Sequence, residues 1–83
     1  RVLFPLTFEF DTPVEHLKKI PILVQQAVQQ QPHTTFDRCH IRSLGESSIN
    51  FESVYFMEDP DFALMVNTQH NIYIHLLEAF KTE

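Results

Sequence analysis

Glycine, cysteine, tryptophan and basic side chains are scarce in this sequence of 83 residues, and the scarcity of glycine bears directly on catalysis. The one glycine opens the segment Gly45-Glu46-Ser47-Ser48. A nucleophile elbow, G-x-S-x-G, needs a second glycine two residues after the serine and a helix behind it. Ile49 occupies that place, and a strand-like run follows. The segment therefore predicts the turn of a hairpin, not a catalytic serine.

Basic residues are also few: six Lys and Arg stand against eleven Asp and Glu, for a net charge of −5. Binding to nucleic acid gains free energy when cationic side chains displace counterions from phosphates, and adhesion to anionic lipid likewise needs cations. An acidic balance disfavours both partners, so no nucleic acid is expected to bind.

A single cysteine, Cys39, cannot form an internal disulfide, which favours a reducing compartment. The apolar runs are far shorter than the ~20 residues that cross a bilayer. The length fits one domain, residues 1–83. The sequence begins inside a strand-like segment and without an initiator methionine, so we expect it to be part of a larger protein.

The first segment, RVLFPLTFEF, alternates apolar and polar residues, which is typical of a strand with one buried face. Pro5 has no N–H to donate, so the strand is expected at an edge of its sheet. The residues predicted to share the buried face are Val2, Phe4, Leu6, Phe8 and Phe10.

The next segment, residues 12–31, predicts a helix broken in the middle. Thr12 is a suitable N-cap, with Pro13 at the first helical position and Glu15 completing a capping box. Pro21 cannot donate the hydrogen bond that a helix interior requires, so a break is expected there. The apolar stripe comprises Ile20, Leu23, Val24, Ala27 and Val28.

Two further strands follow, joined at Gly45. FDRCHIRSL predicts the second strand, with Cys39, Ile41 and Ser43 on one face and the alternate residues Arg38, His40 and Arg42 on the other. Gly45 provides a turn residue that tolerates a positive φ. SSINFESVYFM then returns as the third strand.

A last helix is expected from a cap at Asp59-Pro60 to about Lys81. The order is β-α-β-β-α, which predicts the α+β class: a ferredoxin-like sandwich whose final, fourth strand is missing, because two right-handed crossovers of this kind usually end in a fourth strand. The broad apolar stripe of this helix comprises Phe62, Met65, Val66, Ile72, Tyr73, Leu76, Leu77 and Phe80.

Five histidines and Cys39 raise the question of a metal site. Cys39 and His40 are adjacent in a strand and point to opposite faces, and His70 and His75 are five apart on a helix, which does not align them. The acidic residues Glu58, Asp59 and Asp61 lack the glycine and the terminal glutamate of a calcium loop. We predict no metal, no cofactor and no catalytic residues, and hence no enzyme.

Two other candidates have a simpler structural interpretation. Arg38 with Asn50 could hold an acyl phosphate, but cross-strand pairing of surface polar residues is favoured. Phe51 and Tyr55 could stack on bases, but the acidic charge favours a place in the core. Cys39 is expected to be a small buried residue rather than a nucleophile.

An ordered set of short motifs runs through the sequence. Phe10-Asp11-Thr12-Pro13 and Leu17-Lys18-Lys19-Ile20-Pro21 resemble the strand exit and broken helix that open the C-terminal cytoplasmic domain of small-conductance mechanosensitive channels. The segments at 36–40 and 45–52 and the final Glu78-Ala79-Phe80 continue the resemblance in order. In that family the Gly-x-Ser-Ser segment joins the second and third strands, and a last strand normally follows.

The resemblance implies the cytoplasmic vestibule domain of a channel that releases ions and solutes under membrane tension. It implies a homo-heptamer in the inner membrane, with pore helices upstream of Arg1 and this domain in the vestibule wall on the cytoplasmic side. The domain's role would be assembly and solute filtering. Since the family's last strand contributes to assembly, we expect this chain alone to be a monomer or weak dimer.

Two alternatives share the same order of elements. A stand-alone ferredoxin-like regulatory module would bind a small molecule near a glycine-containing loop after the first strand, but here that loop is Asp11-Thr12-Pro13. An RNA-binding sheet would show salt-sensitive affinity for RNA, which the acidic charge disfavours.

Overall fold

A computed structural model describes residues 1–82 and contains the expected order of elements. The strands are β1 (Val2–Glu9), β2 (Thr34–Leu44) and β3 (Ser48–Met57), and the helices are α1 (Val14–Gln29) and α2 (Phe62–Thr82). The three strands form one antiparallel sheet in the order β1-β3-β2. The α+β class and the ferredoxin-like order with one strand missing are confirmed.

The core lies between one face of the sheet and the two helices. Phe4, Phe51 and Tyr55 project from the strands into a cluster with the buried stripes of α1 and α2. Rings pack edge-to-face across the layers, with centroids 5.5 Å apart for both Phe4–Tyr73 and Phe8–Phe80. The buried helix residues are Ile20, Val24, Ala27 and Val28 on α1 and Ile72 and Leu76 on α2.

The other face of the sheet, which we call the open sheet face, carries no helix. Leu3, Thr7 and Glu9 of β1 are exposed there. Val54 is the exception, since it is fully buried on this face at the centre of β3.

The expected break at Pro21 is wrong, because α1 runs without interruption from Val14 to Gln29. Ile20 before the proline and Val24, Ala27 and Val28 after it lie on one buried stripe that packs against the sheet. A continuous helix buries all four side chains together. Tertiary packing therefore outweighs the hydrogen bond that Pro21 cannot donate.

Both predicted helix starts are also displaced. No side chain caps α1, whose N-cap is Pro13, and the Thr12 hydroxyl donates instead to the carbonyl of Glu9 at 2.7 Å. Asp61 rather than Asp59 caps α2, since its Oδ1 accepts from the N–H of Ala63 at 2.9 Å. Asp59 accepts from the N–H of Asp61 and so shapes the preceding turn. In each case the side chain bonds to a connecting turn instead of the helix.

Two irregularities in β2 change which residues share a face. The register with β3 shifts between Phe36 and Arg38 and again between Ile41 and Ser43. Cys39 and Ile41 lie together on the core side, as predicted, opposite Ser53 and Phe51. The second shift moves Ser43 to the open sheet face, where it accepts from the amide of Asn50 at 3.1 Å. A bulge inserts one residue and reverses the alternation beyond it.

The Gly45 segment forms the hairpin between β2 and β3. The N–H of Gly45 donates to the carbonyl of Ser48 at 2.8 Å, but Gly45 does not have a positive φ. A Cβ at this position would lie 2.5 Å from Ser48 Oγ, so glycine permits the close approach. The one non-glycine residue with positive φ in the described chain is His33, at 63°, between α1 and β2.

Replacing Pro21 by alanine should stabilise the domain. Pro21→Ala restores the missing N–H donor in the interior of α1, and we expect the free energy of unfolding to rise by about 1–3 kcal/mol. Urea unfolding followed by circular dichroism measures this. Gln25→Ala, on the exposed side of the same helix, is the matched control and should change stability by less than about 0.5 kcal/mol. A loss of stability in Pro21→Ala would show that the proline ring itself contributes packing.

Candidate functional site

In residues 1–81, whose side chains are described, the histidines, Cys39 and the acidic residues form no group of three or more that could hold a metal ion. Asp59 and Asp61 accept backbone hydrogen bonds at the start of α2, and Glu58 accepts from the Thr35 hydroxyl at 3.0 Å. These contacts are structural.

Arg38 and Asn50 belong to two separate polar clusters on the open sheet face. Asn50 joins β1 to β2, because its carbonyl oxygen accepts from Thr7 at 3.2 Å and its amide donates to Ser43. Arg38 contacts Asp37 at 2.6 Å and lies 4.0 Å from Glu52. The interpretation as cross-strand polar pairing is therefore confirmed.

Glu52 is the central carboxylate of this face. Its side chain is only 14% exposed and has Arg42 at 3.6 Å in addition to Arg38. Because both arginines already face a carboxylate, an incoming anion would have to compete with Glu52. The open sheet face is thus a nearly neutralised polar surface rather than an anion site.

Phe51 and Tyr55 are buried on the opposite side of β3, in the core. Neither ring is accessible for stacking on bases, so their predicted place in the core is confirmed. The Tyr55 hydroxyl is buried and has no hydrogen-bond partner among the described groups. Burial, with a smaller contribution from neighbouring Tyr73, raises the pKa of the Tyr55 phenol.

Cys39 is half-buried at the edge of the core, where its sulfur accepts from the Ser53 hydroxyl at 3.3 Å. Burial raises the pKa of the thiol, and the hydrogen bond from Ser53 offsets only part of that effect. The thiol therefore stays protonated near neutral pH. An environment of this kind opposes nucleophilic chemistry.

The surface of α2 offers a different kind of site. Four exposed large side chains lie along one line of the helix: Phe62, Val66, Tyr73 and Leu77. We call this row the α2 stripe. It borders the buried side of α2, where Ile72 and Leu76 enter the core. The predicted broad stripe is thus divided lengthwise, one part covered by the sheet and the other exposed.

The outer edge of β1 lies next to the α2 stripe. The N–H of Phe10 donates to Ser47 of the hairpin, so the even-numbered residues of β1 bond to β3 and the odd-numbered residues direct their N–H outward. Pro5 is one of the odd-numbered residues. The N–H that it lacks would point to the outer edge of β1, where no described strand pairs. The predicted edge position of the first strand is confirmed. An apolar groove beside it is lined by Pro5, Leu6, Tyr73, Leu76, Leu77 and Phe80.

A second apolar groove lies at the opposite edge of the sheet, between α1 and β2. We call it the α1/β2 groove. Val14 and Ile41, at 61% and 45% exposure, are its most accessible apolar residues. Its lining residues are Val14, Leu17, Lys18, Pro21, Cys39, His40, Ile41 and Phe51.

A smaller cleft of about 200 Å³ follows the loop after β1, where a regulatory module would bind its ligand. Thr12 and His16 are its polar residues, and the rest of the lining is apolar: Phe8, Ile20, Leu23 and Phe80. Binding sites for small molecules usually combine an apolar wall with several convergent polar groups. This cleft has an apolar wall, but Thr12 and His16 alone supply polar groups.

None of the helices in residues 1–82 is both long enough and apolar enough to span a bilayer.

Comparison with known proteins gives one consistent result. The model of the family "Mechanosensitive ion channel MscS, C-terminal" matches residues 2–83. A small-conductance mechanosensitive channel, MscMJ of Methanocaldococcus jannaschii, is 30% identical over 84 aligned residues, which cover 100% of this chain and 24% of that protein. The chain therefore spans about a quarter of the relative's length. No solved structure matches significantly.

Alkylation of Cys39 should be slow and should require alkaline pH. Because burial raises the pKa of this thiol, we expect the midpoint of its reaction rate with iodoacetamide to lie above that of an exposed cysteine. A Ser47→Cys substitution in a Cys39→Ser background supplies the exposed comparison in the hairpin turn. A midpoint for Cys39 at or below that of the Ser47→Cys protein would contradict the effect of burial.

Proposed function

Since this chain belongs to the mechanosensitive ion channel MscS family, as the C-terminal domain, we propose that it is the cytoplasmic domain of a membrane channel that opens under tension. In osmotic stress such a channel releases ions and small solutes. The match of the family over residues 2–83 is the observation that carries the proposal. The channel relative from M. jannaschii, aligned over the whole of this chain, supports it.

The proposed location is the cytoplasmic side of the inner membrane, in the wall of a vestibule below the pore. Residues 1–83 form one such domain, joined in the full-length protein to upstream membrane helices. The net charge of −5 supports a filtering role, because an acidic wall enriches cations and depletes anions in the solution next to it.

The proposed contribution of the domain is structural, through assembly with copies of itself. The exposed α2 stripe and the apolar groove along β1 support this role, since contiguous apolar patches on a small domain commonly mark contacts with other proteins. A homo-heptamer is the proposed state of the full-length channel. The half-buried thiol of Cys39 and the neutralised Glu52 cluster support a non-catalytic role.

Reconstitution tests the channel function directly. The full-length protein that contains this chain is placed in liposomes, and suction is applied to excised patches. We expect discrete currents whose open probability rises with tension, whereas patches from protein-free liposomes should show none. Absence of tension-dependent current from correctly inserted protein would contradict the proposal.

The isolated chain should associate only weakly. Without membrane helices to hold copies together, we expect light scattering to give the mass of a monomer, or of a dimer that dissociates on dilution. The chain's mass of 9.8 kDa separates these states clearly from a heptamer. A stable heptamer of the isolated chain would show that this domain alone directs the assembly.

A further inference from the structure

The α1/β2 groove leaves large apolar side chains in contact with water at the β2 edge of the sheet. Val14 is 61% exposed and Ile41 45% exposed, and Cys39 lies on the same side of β2 as Ile41. Residues of α1 with the spacing i, i+3, i+4 and i+7 form the other wall: Val14, Leu17, Lys18 and Pro21. An apolar ligand that covers these walls removes them from water, which favours binding.

The dimensions of the groove suit a single alkyl chain. Its volume is about 460 Å³, within the range of roughly 300–1,000 Å³ that is usual for sites of small molecules. Along α1 the groove extends from Val14 to Pro21, which is about 10 Å at the helical rise of 1.5 Å per residue. A strip of this length matches an extended chain of medium length.

Lys18 places a positive charge beside this apolar strip. Among the described residues of the lining it is the one Lys, Arg, Asp or Glu, and the described ion pairs do not include it. The methylene groups of a lysine side chain cover apolar surface while its ammonium group stays in water at the rim. The groove therefore combines an apolar wall with one cation.

The charged residues nearby lie outside the groove. On β2, Arg38 and Arg42 face Glu52 on the open sheet face, and His40 lies opposite Glu52 in the register. On α1, Glu15 is turned by about 100° from the lining residue before it, so it does not line the groove. The lining thus carries a positive charge although the chain as a whole is acidic.

We propose that the α1/β2 groove binds a free fatty acid of medium chain length. The alkyl chain lies along Val14, Leu17 and Ile41, and the carboxylate lies beside the ammonium group of Lys18. A phospholipid would bring two chains to a strip that fits one. The site goes beyond the proposed channel function and does not depend on it.

The two parts of this ligand contribute differently. Burial of the alkyl chain against the apolar walls supplies most of the affinity. An ion pair that is exposed to water contributes little, so Lys18 chiefly discriminates between headgroups of different charge. A carboxylate should therefore bind somewhat more tightly than an alcohol with the same chain, and a quaternary ammonium ion more weakly than either.

Cys39 reports occupancy, because it belongs to the lining of the groove. Decanoate, kept below its micelle concentration, is added to the 83-residue chain at mildly alkaline pH, and alkylation by iodoacetamide is followed by mass spectrometry. Since only the unoccupied fraction reacts, alkylation should slow about fivefold when about four-fifths of the chains are occupied. Decanol and decyltrimethylammonium, which carry the same chain, give the comparison of headgroups.

Lys18→Met tests the charge, because methionine keeps an apolar side chain of similar length. This variant should bind decanoate about two- to fivefold more weakly and decanol unchanged. The matched control, Lys81→Met, removes a cation of α2 outside the groove and should leave both affinities unchanged.

Val14→Asp tests the location, because it places a carboxylate within the groove. This variant should abolish protection of Cys39 by decanoate, whereas Val66→Asp on the α2 stripe should retain it. Both valines are exposed, at 61% and 46%, so folding should be retained, and circular dichroism verifies this.

The same alkylation is repeated on the full-length protein in liposomes, where the peptide that contains Cys39 is read by mass spectrometry. Absence of protection in both the 83-residue chain and the full-length protein would overturn the inference. Equal protection by all three amphiphiles, unchanged in Lys18→Met, would also overturn it, because the groove would then be an unselective apolar patch. Tension-activated current without any protection would leave the proposed function intact, so the two failures are distinguishable.

Discussion

The structure depends on the pairing of the central strand β3 with both of its neighbours. β1 and β2 do not pair with each other, so each is held in the sheet only by β3. The residues of β3 reflect this position: Phe51, Ser53 and Tyr55 are buried on the core side, and Val54 is buried on the other. Side chains of the two neighbouring strands shield a residue at the centre of a sheet from water, even where no helix covers it.

Placing β3 in the centre leaves two unlike edges at the outside of the domain. β1 presents an edge interrupted at Pro5 and lies beside α2, whereas β2 contains two irregularities and lies beside α1. Pro5 in β1 and the two irregularities in β2 both hinder the pairing of a further strand with these edges.

Weak contacts are sufficient in the proposed channel. Membrane helices would hold the copies close together, so that each contact between domains becomes almost intramolecular and gains from a high effective concentration. In that proposed assembly, the four exposed apolar side chains of the α2 stripe would add contact area without driving association alone.

The order of the elements, the core side of β1 from Val2 to Phe8 and the core positions of Phe51 and Tyr55 followed from the sequence, because apolar periodicity reports which side of an element is covered. Phe10 was also expected on that buried face, but it lies beyond the end of β1 and is 58% exposed. The expected break at Pro21 and the expected cap at Thr12 did not hold, because both depend on competition between a local preference and a tertiary contact. Sequence reasoning also assigned Ser43 to the wrong face, since a bulge depends on the register with the partner strand and leaves little trace in composition.

The sequence by itself determined which side of each strand and helix is apolar, and its ordered motifs indicated the family. Tertiary structure alone decided how the broad stripe of α2 is divided, with Ile72 buried and Leu77 exposed. It also brought Val14 of α1 and Ile41 of β2 to the same groove. The physical reason is that periodicity gives the direction of a side chain around its own element. Which neighbour covers that direction depends on how far the sheet extends, and a sheet of three strands is too narrow to cover everything that the sequence makes apolar.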